Sequence, residues 1–140
     1  MSARPTWDEY FLAFAEVAST RSTCPRAHCG AVVVVGNRII STGYNGSSPG
    51  QPHCSDIGCY QEDGHCQQTI HAEVNALAQC AQYGTPCREA TLYIYFRKLS
   101  TGNYPDPIPG CRECNKMIRA AAIRRVVTLH GDHSVAEFLL

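Results

Sequence analysis

His71 and Glu73 stand two residues apart, and Cys111 and Cys114 follow about forty residues later, three apart. One imidazole and two thiolates are a sufficient ligand set for a zinc ion whose fourth position is left to water. That open position separates a hydrolytic zinc from a structural one. Zinc can bring the pKa of bound water from about 15.7 to about 7. Two thiolates and an imidazole leave a neutral complex, less acidifying than three neutral ligands, so a proton acceptor beside the metal matters. Glu73 is the candidate, acting first as base and then as acid. The competing readings leave residues idle. A redox Cys-x-x-Cys gives His71 and Glu73 no task, and a purely structural zinc gives Glu73 none.

Helices must position these groups. His71–Tyr83 and Cys111–Ala122 read as helices, which puts His71 and Glu73 in the first turn of one. Cys111 and Cys114, at i and i+3, share one face at the start of the other. Thiolates there are favoured by the helix dipole and unused N–H groups. Thr6 followed by Glu9 is a capping box, and Tyr10, Phe11, Phe14, Val17 and Ala18 recur at helical spacing as an expected buried face, ending near Ser22. Ala31–Val35 and Arg38–Tyr44 read as strands joined by a Gly36-Asn37 hairpin turn, and Thr91–Phe96 and Arg125–Leu129 as two more. Asn45–Cys66 and Arg97–Gly110 read as loops, and Ser134–Leu140 as one or two helical turns. Strands alternating with helices point to an α/β fold of two or three layers around one sheet.

Composition agrees with one domain over residues 1–140. Of the 140 residues 44% are hydrophobic, enough for a real core, and the formal net charge is zero. Charge balance argues against a nucleic-acid partner. No apolar run approaches the roughly 20 residues of a membrane span, and the N-terminus lacks a signal-peptide core. Nine cysteines in such a chain read as metal ligands and buried thiols of a cytoplasmic protein rather than as a disulfide framework.

His71-Ala72-Glu73-Val74-Asn75-Ala76 followed by Pro109-Gly110-Cys111-Arg112-Glu113-Cys114 is the motif order of zinc nucleobase deaminases. With Trp7–Phe11, Arg21-Ser22-Thr23-Cys24, Gly30–Val33, Gly43-Tyr44-Asn45-Gly46 and Ile123–Val127, most of the chain resembles the deoxycytidylate (dCMP) deaminases of the cytidine-deaminase superfamily. The resemblance implies a three-layer α-β-α fold with a mixed sheet of about five strands. It implies zinc-dependent conversion of dCMP to dUMP and ammonia, in a homo-oligomer that is often hexameric. Matched residue by residue, His71, Cys111 and Cys114 bind catalytic zinc, Glu73 moves protons, and Asn45 holds the nucleotide sugar. The segment Arg97–Ile108 and the extra Gly110 depart from the family pattern beside the site. Another small amino-heterocycle, or a catalytically idle zinc-stabilised nucleotide-binding module, therefore remains an alternative.

Some members carry a second, structural zinc that joins the Arg-Ser-Thr-Cys segment to the loop before the catalytic histidine. Here the preferred ligands are Cys24, Cys54, Cys59 and Cys66, with His53 or His65 as the substitute; a metal would order a loop with little apolar surface. Arg21, Arg26 and Ser47 are candidates for a 5′-phosphate. Tyr95 and Phe96 are candidates for stacking on the base, with core packing expected for at least one. Cys29, Cys80 and Cys87 are assigned to packing.

Overall fold

A computed structural model describes residues 3–24, 27–58, 61–62, 65–66, 69–98 and 112–140. Helix α1 (Trp7–Ser19) starts at the expected capping box: Glu9 N–H donates to Thr6 Oγ1 at 3.2 Å, and Thr6 N–H to Glu9 Oε1 at 2.9 Å. Strands β1 (Ala27–Val35) and β2 (Arg38–Tyr44) follow, joined through Gly36 and Asn37 at φ 55° and 59°. Two successive left-handed residues give the turn whose twist matches a hairpin. The expected loop Asn45–Cys66 carries short elements: β3 (Gly46–Ser47), the one-turn α2 (Cys54–Ile57), β4 (Gln61–Glu62) and β5 (His65–Cys66). Then come β6 (Thr69–Ile70), α3 (Ala72–Gln82), β7 (Thr91–Lys98), α4 (Arg112–Ala120), β8 (Arg125–His130) and β9 (Val135–Leu139).

Five strands form a mixed sheet in the order β2-β1-β7-β8-β9, while β3 pairs with β6 and β4 with β5. Only β7 and β8 run parallel in the five-stranded sheet, with α4 as their crossover. Strand alternation divides the core. Ala31, Val33, Leu92, Ile94 and Val126 face α3 and α4, and Val32, Val34, Tyr93, Tyr95 and Val127 face α1. The result is the expected three-layer arrangement. No helix among the described residues is long and apolar enough to cross a membrane.

Two expectations are corrected. The buried face of α1 is Phe11, Leu12, Ala15 and Ser19, whereas Tyr10, Phe14 and Val17 are 38%, 42% and 65% exposed. The cause is close approach: a Cβ at Gly30 would lie 1.9 Å from the Ala15 carbonyl oxygen and 2.6 Å from Ser19 N. Backbones that near admit small residues between them and turn the aromatics outward. Second, Ser134–Leu140 contains a strand and not a helix. Pairing β9 antiparallel to β8, Val127 opposite Glu137, satisfies the outer edge of β8; so short a helix has little stability of its own.

The N-terminus of α1 is clamped to the far side of the sheet. Arg125 donates to both Asp8 oxygens at 2.9 and 2.6 Å and also binds Glu137, and Tyr93 Oη donates to Asp8 Oδ1 at 2.7 Å. The Arg125 hydrogen bonds hold the Asp8 carboxyl below its ordinary range. Burial, then Asp8, pushes the Tyr93 phenol to about 12.

Gly30→Ala is expected to cost about 3 kcal/mol by forcing α1 off β1, read as a fall in the denaturant midpoint. Because the Asp8 pKa is lowered on folding, its contribution is present above the unfolded value of about 3.9. It is lost as pH falls through the lower folded value. Asp8→Asn is therefore expected to destabilise by about 1 kcal/mol at pH 7, a figure held down by solvent screening of this partly exposed pair. The gap from the parent should narrow as pH falls through the lowered folded-state value, which denaturation at neutral pH and across an acid series measures.

Candidate active site

Helices α3 and α4 start at the same end of the sheet, beside the C-terminal ends of β7 and β8. His71 is the extended N-cap of α3, with φ −68° and ψ 150°, and its side chain makes no capping bond. Its ring is thereby turned across to α4, where Nδ1 lies 3.0 Å from Cys114 Sγ. Cys114, the third residue of α4, is 2% exposed, and Glu73, the second of α3, is 3% exposed. Burial pushes the Glu73 carboxyl above its ordinary value. Its own backbone N–H, the His71 charge and a hydrogen bond with the Cys114 thiol oppose that shift. A buried carboxyl of raised pKa has the chemistry of a general acid and base.

The donors suit zinc. Bonds of about 2.0 Å to nitrogen and 2.3 Å to sulfur in a tetrahedron place the two ligand atoms about 3.5 Å apart, so a small outward shift of His71 Nδ1 and Cys114 Sγ admits the ion. Cys111 lies outside the described residues. Among those described, no three His, Cys, Asp or Glu groups converge as a complete metal set.

Backbone contacts hold α3 in place. A Cβ at Gly43 would lie 2.4 Å from the Ala72 carbonyl oxygen and 2.6 Å from Ala76 N, so α3 rests directly on β2. Asn75 Nδ2 donates to the Tyr44 carbonyl at 2.6 Å, tying the end of β2 to the turn that bears His71 and Glu73. The reading from sequence gave Asn75 no role. Its signal is an asparagine inside a helix, where its propensity is poor. Nearby, Thr42 N–H donates to Gln79 Oε1 at 3.1 Å.

Other expected residues are placed unevenly. Asn45 is 5% exposed, and both ends of its amide reach β1: Cys29 N–H donates to Oδ1 at 2.9 Å, and Nδ2 donates to the Ala27 carbonyl at 2.8 Å. Among the described residues, these bonds use one amide hydrogen and one lone pair of the Asn45 side chain. Ser47 Oγ donates to the Pro52 carbonyl at 2.7 Å; Arg21 is exposed just past α1; Arg26 lies outside the described residues. Tyr95 faces the α1 layer, while Phe96, on the catalytic-helix side, stacks on His130 with centroids 5.7 Å apart.

Of the residues expected to hold a second metal, Cys24 and Cys54 are both buried, and His53 Nδ1 lies 3.1 Å from Thr23 Oγ1, which brings the α2 loop to the chain after α1. Cys59 lies outside the described residues, as do the side chains of His65 and Cys66. The segment Arg97–Ile108 is described only at its first two residues.

This arrangement is that of a zinc deaminase domain. The family described as the cytidine and deoxycytidylate deaminase zinc-binding region matches residues 5–130, and the chain belongs to it. ComE operon protein 2 of Bacillus subtilis is 42% identical over 123 residues, which is 88% of this chain and 59% of that protein. The deoxycytidylate deaminase of Mycobacterium phage D29 is 36% identical over 136 residues, 89% of this chain and 95% of that one. The structure of dCMP deaminase from the cyanophage S-TIM5 in complex with dCMP and dUMP superposes with a TM-score of 0.71 at 28% identity, covering 92% of this chain and 85% of its own. The fold is cytidine-deaminase-like.

Asn75→Ala is expected to cost about 1–2 kcal/mol by stranding the Tyr44 carbonyl. Chemical denaturation checks this as a lower midpoint with an unchanged slope.

Proposed function

We propose that this chain is a zinc-dependent hydrolytic deaminase that converts dCMP and water to dUMP and ammonia. One observation carries the reading: a buried Glu73 beside a His71–Cys114 donor pair, where two helix N-termini meet in this family's fold. The neighbouring cyanophage enzyme, described with dCMP and dUMP, supports the choice of substrate. His71, Cys111 and Cys114 would hold the metal, which when bound supplies the Lewis acidity that makes water a nucleophile near neutral pH. Glu73 takes the water proton and delivers it to ring N3 as oxygen adds to C4. It then takes the remaining proton from the C4 hydroxyl and passes it to the departing amine as the C4–N bond breaks and the C4 carbonyl forms. Asn45 offers an amide hydrogen to the sugar, and Ser47 and Arg26 serve the phosphate.

Cys24 and Cys54 are the described half of a second, structural zinc set completed by Cys59 and Cys66, or by His53 or His65 in substitution. The exposed α1 stripe of Trp7, Tyr10, Phe14 and Val17 supports assembly with further copies of the chain, a hexamer among the expected sizes. A cytoplasmic setting suits the thiol ligands.

The test is the ultraviolet change on mixing zinc-loaded protein with dCMP, CMP, deoxycytidine or cytosine. Turnover of dCMP is expected, falling by about 10²- to 10⁴-fold or more in Glu73→Gln with zinc retained. No turnover of any of the four with metal bound would overturn the reading and direct attention to other amino-heterocycles. Metal analysis is expected to find about two zinc ions per chain. Cys54→Ser should lower that to about one and depress the melting temperature, while Cys114→Ser should remove the other zinc together with activity.

A further inference from the structure

One short ladder sets the sugar's partner beside the metal's histidine. Strand β3 pairs antiparallel with β6, Gly46 opposite Ile70 and Ser47 opposite Thr69. Continued by one residue, that register sets Asn45 opposite His71, where the chain leaves β6 for α3. Asn75 closes this end of the ladder. Its backbone N–H donates to the His71 carbonyl at 2.9 Å, while Nδ2 donates to the Tyr44 carbonyl at 2.6 Å and reaches the Ile70 carbonyl at 3.5 Å. One residue of α3 thus grips the chain just before Asn45 and the chain at and just before His71.

Asn45 is held from its other side. Its amide bonds Cys29 N–H and the Ala27 carbonyl on β1, and its own carbonyl accepts from Thr23 N–H at 3.1 Å. With Asn45 fixed to β1, its distance from His71 depends on what holds the first turn of α3, and Asn75 makes that link. Gln79, one turn later in α3, bonds β2 farther from both residues, at Thr42 N–H (3.1 Å) and the Ser41 hydroxyl (3.0 Å).

We propose that Asn75 is a positioning residue that sets the separation between Asn45 and His71, and so fixes where ring C4 of the nucleotide lies relative to Glu73. The inference rests on the proposed deaminase reading, with Asn45 as the sugar's partner. A nucleotide anchored at its sugar delivers C4 to one place, and a displacement of about 1 Å between anchor and reacting groups can cost on the order of 10²-fold in rate. Once the sugar anchor is gone, the ring is free to follow His71 and Glu73, and the same displacement matters little. Losses from removing Asn75 and Asn45 should therefore not add.

The test is a double-mutant cycle on zinc-loaded protein, Asn75→Ala against Asn45→Ala, read as kcat/KM for dCMP and as the Kd of dUMP by calorimetry. Asn75→Ala is expected to lower kcat/KM by about 10²-fold and to weaken dUMP by about tenfold, with zinc content unchanged. In the Asn45→Ala background the same substitution should cost less than about threefold in either quantity. Gln79→Ala, which also loosens α3 from β2, should lower the denaturant midpoint and leave kcat/KM within about threefold of the parent. Asn75→Asp keeps the side-chain shape and removes the Nδ2 donor; it should repeat the alanine result, and it carries the cycle if Asn75→Ala does not fold. Additive losses in the two backgrounds, or an equal fall of kcat/KM in Gln79→Ala, would overturn the proposal and leave the deaminase reading standing. A parent protein that holds zinc yet neither turns over dCMP nor binds dUMP would overturn that reading and this inference together.

Discussion

At Gly43 the backbone of α3 lies against β2 with no side chain between them, and the catalytic end is built on that distance. A methyl group there would meet the first turn of α3, the turn that carries His71 and Glu73. Moving α3 outward by an ångström would separate His71 from Cys114, which meet across two helices at 3.0 Å. It would also open the packing that keeps Glu73 dry, and with it the burial that raises its carboxyl. Gly30 performs the same service for α1 on the opposite face. Both helices are fixed by backbone contact, a rigid support for chemistry that tolerates little displacement.

The single parallel pair, β7 with β8, supplies the other half of the arrangement. A parallel connection returns the chain by a helix, so α4 must begin where β7 ends. Helix α3 runs down to the start of β7 and so begins at that same end. Two positive helix termini thus face one another over a buried carboxyl and a thiol. The buried donor pair and the topology are one fact seen at two scales.

Much of this was legible in the residues themselves. The Thr6–Glu9 box and the Gly36-Asn37 turn are local signals, each satisfied by neighbours a few positions away, and the starts of α3 and α4 follow from the motif order. What escaped depends on distant contacts. The buried side of α1 is chosen by Gly30, which accepts Ala15 and Ser19 but has no room for Phe14. Strand β9 exists because β8 offers an edge, although its own residues suit a helical turn. Asn45 matched a substrate-binding pattern, and the structure adds that its amide also staples the start of β1. The alternation that sends Tyr95 and Phe96 to opposite faces follows from strand period alone.

The clamp between Asp8 and Arg125 joins residues 117 positions apart, and the one between Asp8 and Tyr93 spans 85. During synthesis α1 leaves the ribosome long before the strands it covers. Phe11 and Leu12 then have β1 to pack against but lack Tyr93 and Val127 until β7 and β8 have emerged. Such distant closure is slow, and the aromatic helix waits only partly covered in the interval, when unpartnered apolar surface is most prone to aggregate. Chaperone demand should therefore be concentrated at the first segment made, and it should end when one of the last arginines arrives.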